Sequence, residues 1–217
     1  MLNFDDFDIA LDFDDFGEKP EPCGMVLKML SKERHFLNIG NEIKQLRSIV
    51  GEPPKPDEVY KMLSVGGGFS SIGVIKFITL FEKIEQLYVS TFRVGKKQFA
   101  ELCEMNNRGQ LENATIITSA TQKKTDELAE YNGEKYNYYD YIKTECAEKG
   151  WKLITIDNHS KLILMRTAKN YYIVETSSNL NENPKMEQFS FENDRKLFEW
   201  YERLFKEFEN YAETADD

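Results

Sequence analysis

The chain has 217 residues, 41% of them apolar, and a net charge of −10. That length holds one domain with a sizeable core plus some extra elements, and is short for two full domains. No apolar run approaches the roughly 18 residues of a membrane-spanning helix, and the acidic N-terminus lacks the basic-then-apolar form of a signal peptide. Three cysteines, Cys23, Cys103 and Cys146, without CxxC spacing argue against a zinc cluster or a disulfide framework. The expectation is a protein of the reducing cytoplasm that does not engage a membrane.

The acidity is concentrated at the ends. Residues 1–22 carry −7 and residues 192–217 carry −5, which leaves +2 for 23–191. A near-neutral body has room for a local basic groove, but it is not the strongly basic surface of a non-specific DNA coat.

In chain order, residues 1–22 alternate Phe, Leu and Ile with Asp clusters. They read as a disordered acidic tail or as a peptide that docks on a partner. Residues 23–65 read as a helical extension. Met25, Leu27, Leu30, Phe36, Leu37, Ile39, Ile43, Leu46 and Val50 fall near a 3.6-residue period, and a second short helix is expected from Pro56 to Leu63. Gly66-Gly67-Gly68 lacks a following Lys-Ser/Thr and reads as a flexible turn, not a phosphate loop.

The domain proper is expected over 66–211. It starts with a helix at 70–84, capped by Ser70 or Ser71. A strand at 86–94, a helix at 95–108 and a strand at 114–118 follow. Residues 122–149 are mostly helix, with a Tyr-rich stretch at 131–141 that suits a loop. Strands at 151–156, 160–166 and 171–175 precede a last helix at 193–211 and an acidic tail at 212–217. Strands spaced by helices predict an α/β fold, a mixed sheet with helices on both faces.

Only two histidines are present, His35 and His159. A lone helical histidine such as His35 is ordinarily a surface or satisfied residue. His159 lies two residues from Lys161 on an expected strand, so both side chains share a face. The next strand runs into Ser177 and Asn179, again two apart. A hairpin would set an imidazole, an ammonium, a hydroxyl and a carboxamide around one point. An imidazole can attack phosphorus, and the other three groups can hold negative oxygens. No metal-ligand set accompanies them, and no cofactor is expected.

This pattern resembles the phospholipase D superfamily, whose signature is His-x-Lys, four residues, Asp, six residues and Gly-Ser-x-Asn. His159-Ser160-Lys161 matches the first part and Thr176-Ser177-Ser178-Asn179 the last, with Thr176 in place of Gly. Arg166 stands at the Asp position, and a longer turn from Thr167 to Asn170 would account for the wider gap. The resemblance covers about residues 66–205. It implies a phospholipase D-like fold and a two-step phosphodiesterase, most often a nuclease in single-motif chains, with His159 as nucleophile. Glu187 is the implied partner of that histidine. Because the family uses two motif copies per site, the resemblance also implies a homodimer. A degenerate relative that only binds nucleic acid or protein is the alternative, and a phospholipid substrate is disfavoured because no basic amphipathic helix for a membrane surface is seen. Ser90 and Arg93, at the end of the first strand of the domain, are candidate substrate contacts, although Arg93 suits a surface ion pair equally well. The pairs Lys96-Lys97 and Lys123-Lys124 could line a nucleic-acid path or simply be solvated.

Overall fold

The computed structural model describes residues 23–30, 33–39, 46–65, 69–127, 130–131, 134–135, 137–181 and 186–215. The acidic segment 1–22 and the glycines at 66–68 lie outside the described residues.

Long apolar runs such as Leu162–Met165 and Tyr171–Val174 fit strands buried on both faces. Nine described strands pair into one sheet. In chain order they begin with β1 (Cys23–Leu30), β2 (Glu33–Ile39), β3 (Val59–Val65), β4 (Ile84–Ser90) and β5 (Leu111–Ser119). A small separate ribbon of β6 (Glu130–Tyr131) and β7 (Glu134–Lys135) intervenes. Then come β8 (Lys152–Ile156), β9 (Leu162–Thr167), β10 (Tyr171–Thr176) and β11 (Glu187–Asn193). The order across the sheet is β2-β1-β3-β11-β10-β9-β4-β5-β8. The pairs β4–β5 and β5–β8 are parallel and all the others antiparallel.

Helices α1 (Ser71–Thr79), α2 (Lys96–Asn107), α3 (Ala120–Glu127), α4 (Tyr138–Glu148) and α5 (Arg195–Ala215) complete the described fold. Side-chain alternation splits the core in two. Ile163 and Met165 of β9 and Tyr172 and Val174 of β10 join Phe77 of α1, Phe99 of α2 and Ile142 of α4. Leu164 and Ile173, one residue out of phase, pack with Phe198 and Phe205 of α5 on the other face. Burial of each such ring stabilises the fold by roughly 1.5–3 kcal/mol. The expected mixed sheet with helices on both faces is therefore present.

The helical extension is corrected. Residues 23–39 form a β-hairpin, and β3 joins it to the main sheet through β11. Of the segment expected to be helical, only Leu46–Val50 is so among the described residues, as one π-helical turn. The expected helix from Pro56 fails because Asp57 adopts a positive φ of 67° and turns the chain. Val59–Val65 then alternates, with Tyr60, Met62 and Ser64 buried and Lys61 exposed, which is a strand period. Ser70 does cap α1, its side chain accepting from the Gly73 amide at 3.3 Å.

Candidate active site

β4 and β5 end together, and the loop that leaves β8 crosses their ends before entering β9. This loop, 157–161, carries His159. It is held from below by Asn158, which is 7% exposed. The Asn158 amide nitrogen donates to Ser90 Oγ at 3.0 Å and to the Thr91 carbonyl at 3.1 Å. Its oxygen accepts from the amide and the hydroxyl of Ser160. His159 itself is exposed and stands just before β9 rather than on it.

The His159 ring meets two neighbours. Phe92 lies 5.2 Å away, centre to centre, at 52°. The Lys161 ammonium is 3.2 Å from His159 Nδ1 and donates to the His159 carbonyl at 2.7 Å. An ammonium has only protons to offer, so Nδ1 is the acceptor and the neutral ring carries its proton on Nε2.

β9 and β10 bring the two halves of the motif to the same end of the hairpin. Leu162 pairs with Glu175, and the Thr176 amide still reaches the Lys161 carbonyl at 3.2 Å. Beyond that bond the two segments part, residues 157–160 toward β4 and Ser177 toward β11. The expected grouping is corrected here. The Ser177 hydroxyl donates to Glu187 and accepts from the Gln188 amide at 3.1 Å. Ser178 is buried, and its carbonyl accepts from Ser71 of α1. On the far side Thr176 pairs with Phe189 and the Ser177 amide donates to the Gln188 carbonyl at 3.1 Å, next to Glu187, which is 7% exposed. Glu187, which opens β11, thus meets the residues that leave β10. Asn179 Oδ1 is buried without a hydrogen-bond partner among the described residues. An oxygen in that position calls for a donor and does not itself serve a phosphate oxygen.

Ser90 is 6% exposed, and its hydroxyl is taken by Asn158 and, at 2.5 Å, by Ser160. It is an anchor beneath the loop instead of the expected substrate contact. Arg93 pairs with Asp126 at 3.2 Å and keeps 44% of its side chain exposed. Gln122, which the sequence did not single out, clasps the amide and carbonyl of Val94 and the Thr118 hydroxyl. It fixes the turn that carries Phe92 and Arg93. The strands' ends also gather cations. Lys96 begins α2 directly after β4, and Lys123 lies in α3 directly after β5. Their ammonium groups lie 5.5 Å and 5.7 Å from the Tyr138 and Tyr139 ring centres at the start of α4.

Arg166, at the position of the motif's Asp, has a local reason. It faces α5 and reaches Glu202 at 3.5 Å and Glu85 at 3.9 Å. Glu202 also accepts from Tyr88 at 2.9 Å. Burial, and then the Glu202 charge, push that phenol above its ordinary value, so it remains a donor.

Among the described residues no group of three or more His, Cys, Asp or Glu side chains gathers at metal-binding distance, and no helix is long and apolar enough to cross a membrane.

No protein-family model matches the chain, and no curated protein matches it in sequence. Among solved structures it is similar to a phospholipase D family member, Nuc from Salmonella typhimurium. The identity is 15% and the TM-score 0.43, over 63% of this chain and 86% of that one. It is similar to polyphosphate kinase from Porphyromonas gingivalis at 11% identity and a TM-score of 0.46, over 64% of this chain and 24% of the kinase. It is also similar to phosphatidylserine synthase from Haemophilus influenzae at 14% identity and a TM-score of 0.43, over 62% of this chain and 34% of the synthase. The chain thus spans about a quarter and a third of those two enzymes. The expected α/β architecture, a mixed sheet with helices on both faces, is the one the structure has, whereas His159, expected on a strand, stands in the loop before β9.

Proposed function

We propose that the chain is a phospholipase D-like phosphodiesterase that cleaves nucleic acid through His159. The observation that carries this reading is the exposed imidazole with an ammonium 3.2 Å from Nδ1, at the hairpin end where Ser177 donates to the buried Glu187. The resting contact leaves the proton on Nε2, so the ring is not yet a nucleophile at that nitrogen. A substrate phosphate draws the Lys161 ammonium to its own oxygens, and the proton moves to Nδ1, with Glu187 the acceptor that the family pattern implies. The Nε2 lone pair then forms the N–P bond as the P–O bond to the leaving group breaks. The His159 of a second copy, protonated on both nitrogens in the substrate complex, gives the leaving oxygen its Nε2 proton and becomes neutral. It next takes one from water, whose oxygen displaces the phosphohistidine nitrogen.

Nucleic acid is favoured over phospholipid by Arg93, Lys96 and Lys123, which follow the ends of β4 and β5 and would suit a repeating anionic backbone better than a single headgroup. A second reading, a relative that binds but does not cleave, is favoured by the buried Asn179 oxygen, which has no partner among the described residues, and by Arg166. Labelled single- and double-stranded DNA, RNA and phosphatidylcholine, each incubated with the full chain in excess chelator, separate the readings. Cleavage of a nucleic acid that H159A abolishes is expected. Wild-type turnover in H159A overturns the mechanism, and binding without cleavage leaves the second reading.

A further inference from the structure

We infer that Asn158 is the positioning residue of this site, the group that holds His159 where it can react; the inference rests on the phosphodiesterase reading above. The hydrogen bonds around its carboxamide form a closed ring with one consistent direction. Asn158 Nδ2 donates to Ser90 Oγ at 3.0 Å. Ser160 Oγ donates to Asn158 Oδ1 at 2.8 Å, which uses its only proton. The 2.5 Å contact between the two serines must then run from Ser90 to Ser160. Each member donates once and accepts once around the ring, so each bond polarises the next. The second Nδ2 proton goes to the Thr91 carbonyl at 3.1 Å, with the Ile117 carbonyl nearby at 3.4 Å. The Ser160 amide adds a further bond to Oδ1 at 2.9 Å.

The ring also fixes which way the amide points. Turned over, it would set its oxygen against two carbonyls and its NH2 against the Ser160 amide. It joins three elements that are far apart in sequence, the ends of β4 and β5 and the entry to β9, and the residue it encloses is His159. Asn158 and Ser160 grip the chain on either side of the histidine. The imidazole between them meets Phe92 and Lys161. A side chain needed only to fill the core would not require donors and acceptors in this order.

The test uses the full chain with H35Q, which leaves His159 as the sole imidazole. Long-range proton–nitrogen NMR then reads its tautomer directly, and steady-state kinetics read its work. The parent is expected to show one neutral tautomer, protonated on Nε2. In N158A the two ring nitrogens should converge toward averaged shifts. The kcat should fall about 100-fold, the scale of a misplacement near 1 Å, with KM little changed. N158D keeps the acceptor for Ser160 but loses the donor, and should lie between the two. A tautomer unchanged in N158A overturns the inference, whatever happens to kcat. If the parent cleaves no phosphodiester, the phosphodiesterase reading fails, and the NMR result still decides the positioning role. If N158A does not fold, S90A opens the same ring at one hydroxyl. Loss of the single tautomer there supports the inference, and its persistence overturns it.

Discussion

Lys161 has two duties that its geometry makes separable. At rest it donates to the carbonyl and Nδ1 of its own histidine; in the proposed reaction it moves to a phosphoryl oxygen. K161A should therefore lose roughly 2–4 kcal/mol of transition-state stabilisation, the usual cost of removing one group that meets developing charge. Turnover under chelator measures this, and a K161A enzyme as fast as the parent would refute the role. Arg166 invites the opposite manipulation, a return to the motif's Asp. That carboxylate would face Glu85 and Glu202 where a guanidinium now pairs with both. R166D should lower the urea midpoint by the equivalent of about 1 kcal/mol or more without raising activity. A rise in activity would show that the arginine is itself the defect. His159 and Lys161 were legible because a two-residue spacing is visible in any sequence. The place of Ser178 was not, because it depends on the hairpin register. That register follows from the turn at 167–170, where the Thr167 amide meets the Asn170 carbonyl at 3.0 Å. The Asn158 ring was illegible for a related reason: its partners stand 68 and 2 residues away.

The elements differ in how openly they declare themselves. β4, β5, β8, β9, β10 and four of the helices follow from apolar runs and caps. The strands β1 to β3 and β11 do not. In 23–39 the apolar positions satisfy a helical and a strand period about equally, and pairing with β3, itself docked on β11, decides between them. β11 hides in a polar stretch, and only its alternation, Phe189 and Phe191 buried with Gln188 exposed, marks it. α5 carries seven large apolar side chains between Leu197 and Phe208. A helix of 3.6 residues per turn cannot turn all seven inward. Phe198 and Phe205 are buried, while Trp200, Leu204 and Phe208 are exposed. F205A should accordingly cost about 3–5 kcal/mol and F208A far less, a contrast that urea denaturation of the two variants checks directly. On the opposite face, burial pushes the Cys103 thiol up to about 11 and the Cys146 thiol up to about 12, from an ordinary 9.0. Below pH 9 both thiols are protonated whether the chain is folded or not. Above it the unfolded chain ionises first, so stability should fall as pH rises from 9 toward 11 and 12. A denaturation midpoint constant across that range would show that the two thiols are not desolvated as described.

At the scale of the whole molecule the proposed chemistry needs two imidazoles, and each chain has one in the right place. His35 lies on β2, the edge strand at the opposite side of the sheet, with β1, β3, β11 and β10 between it and β9. Five strand steps of about 4.8 Å put the two strands roughly 24 Å apart, so His35 of the same chain cannot act beside His159. In the proposed mechanism the missing group comes from a second copy, which a two-fold axis near the loops at 157–161 would supply by making each histidine the other's partner. Analytical ultracentrifugation should give twice the chain mass of 25.4 kDa. Mixing tests the shared site more sharply than mass does. A heterodimer of wild-type and H159A chains, purified with two different tags, should retain almost no activity, because its one site has lost either nucleophile or acid. If each chain carried its own complete site, the heterodimer would keep half. A heterodimer at half activity, or a monomer that cleaves phosphodiesters at micromolar concentration, would rule out the two-histidine mechanism and place the second proton donor within the chain that carries the nucleophile.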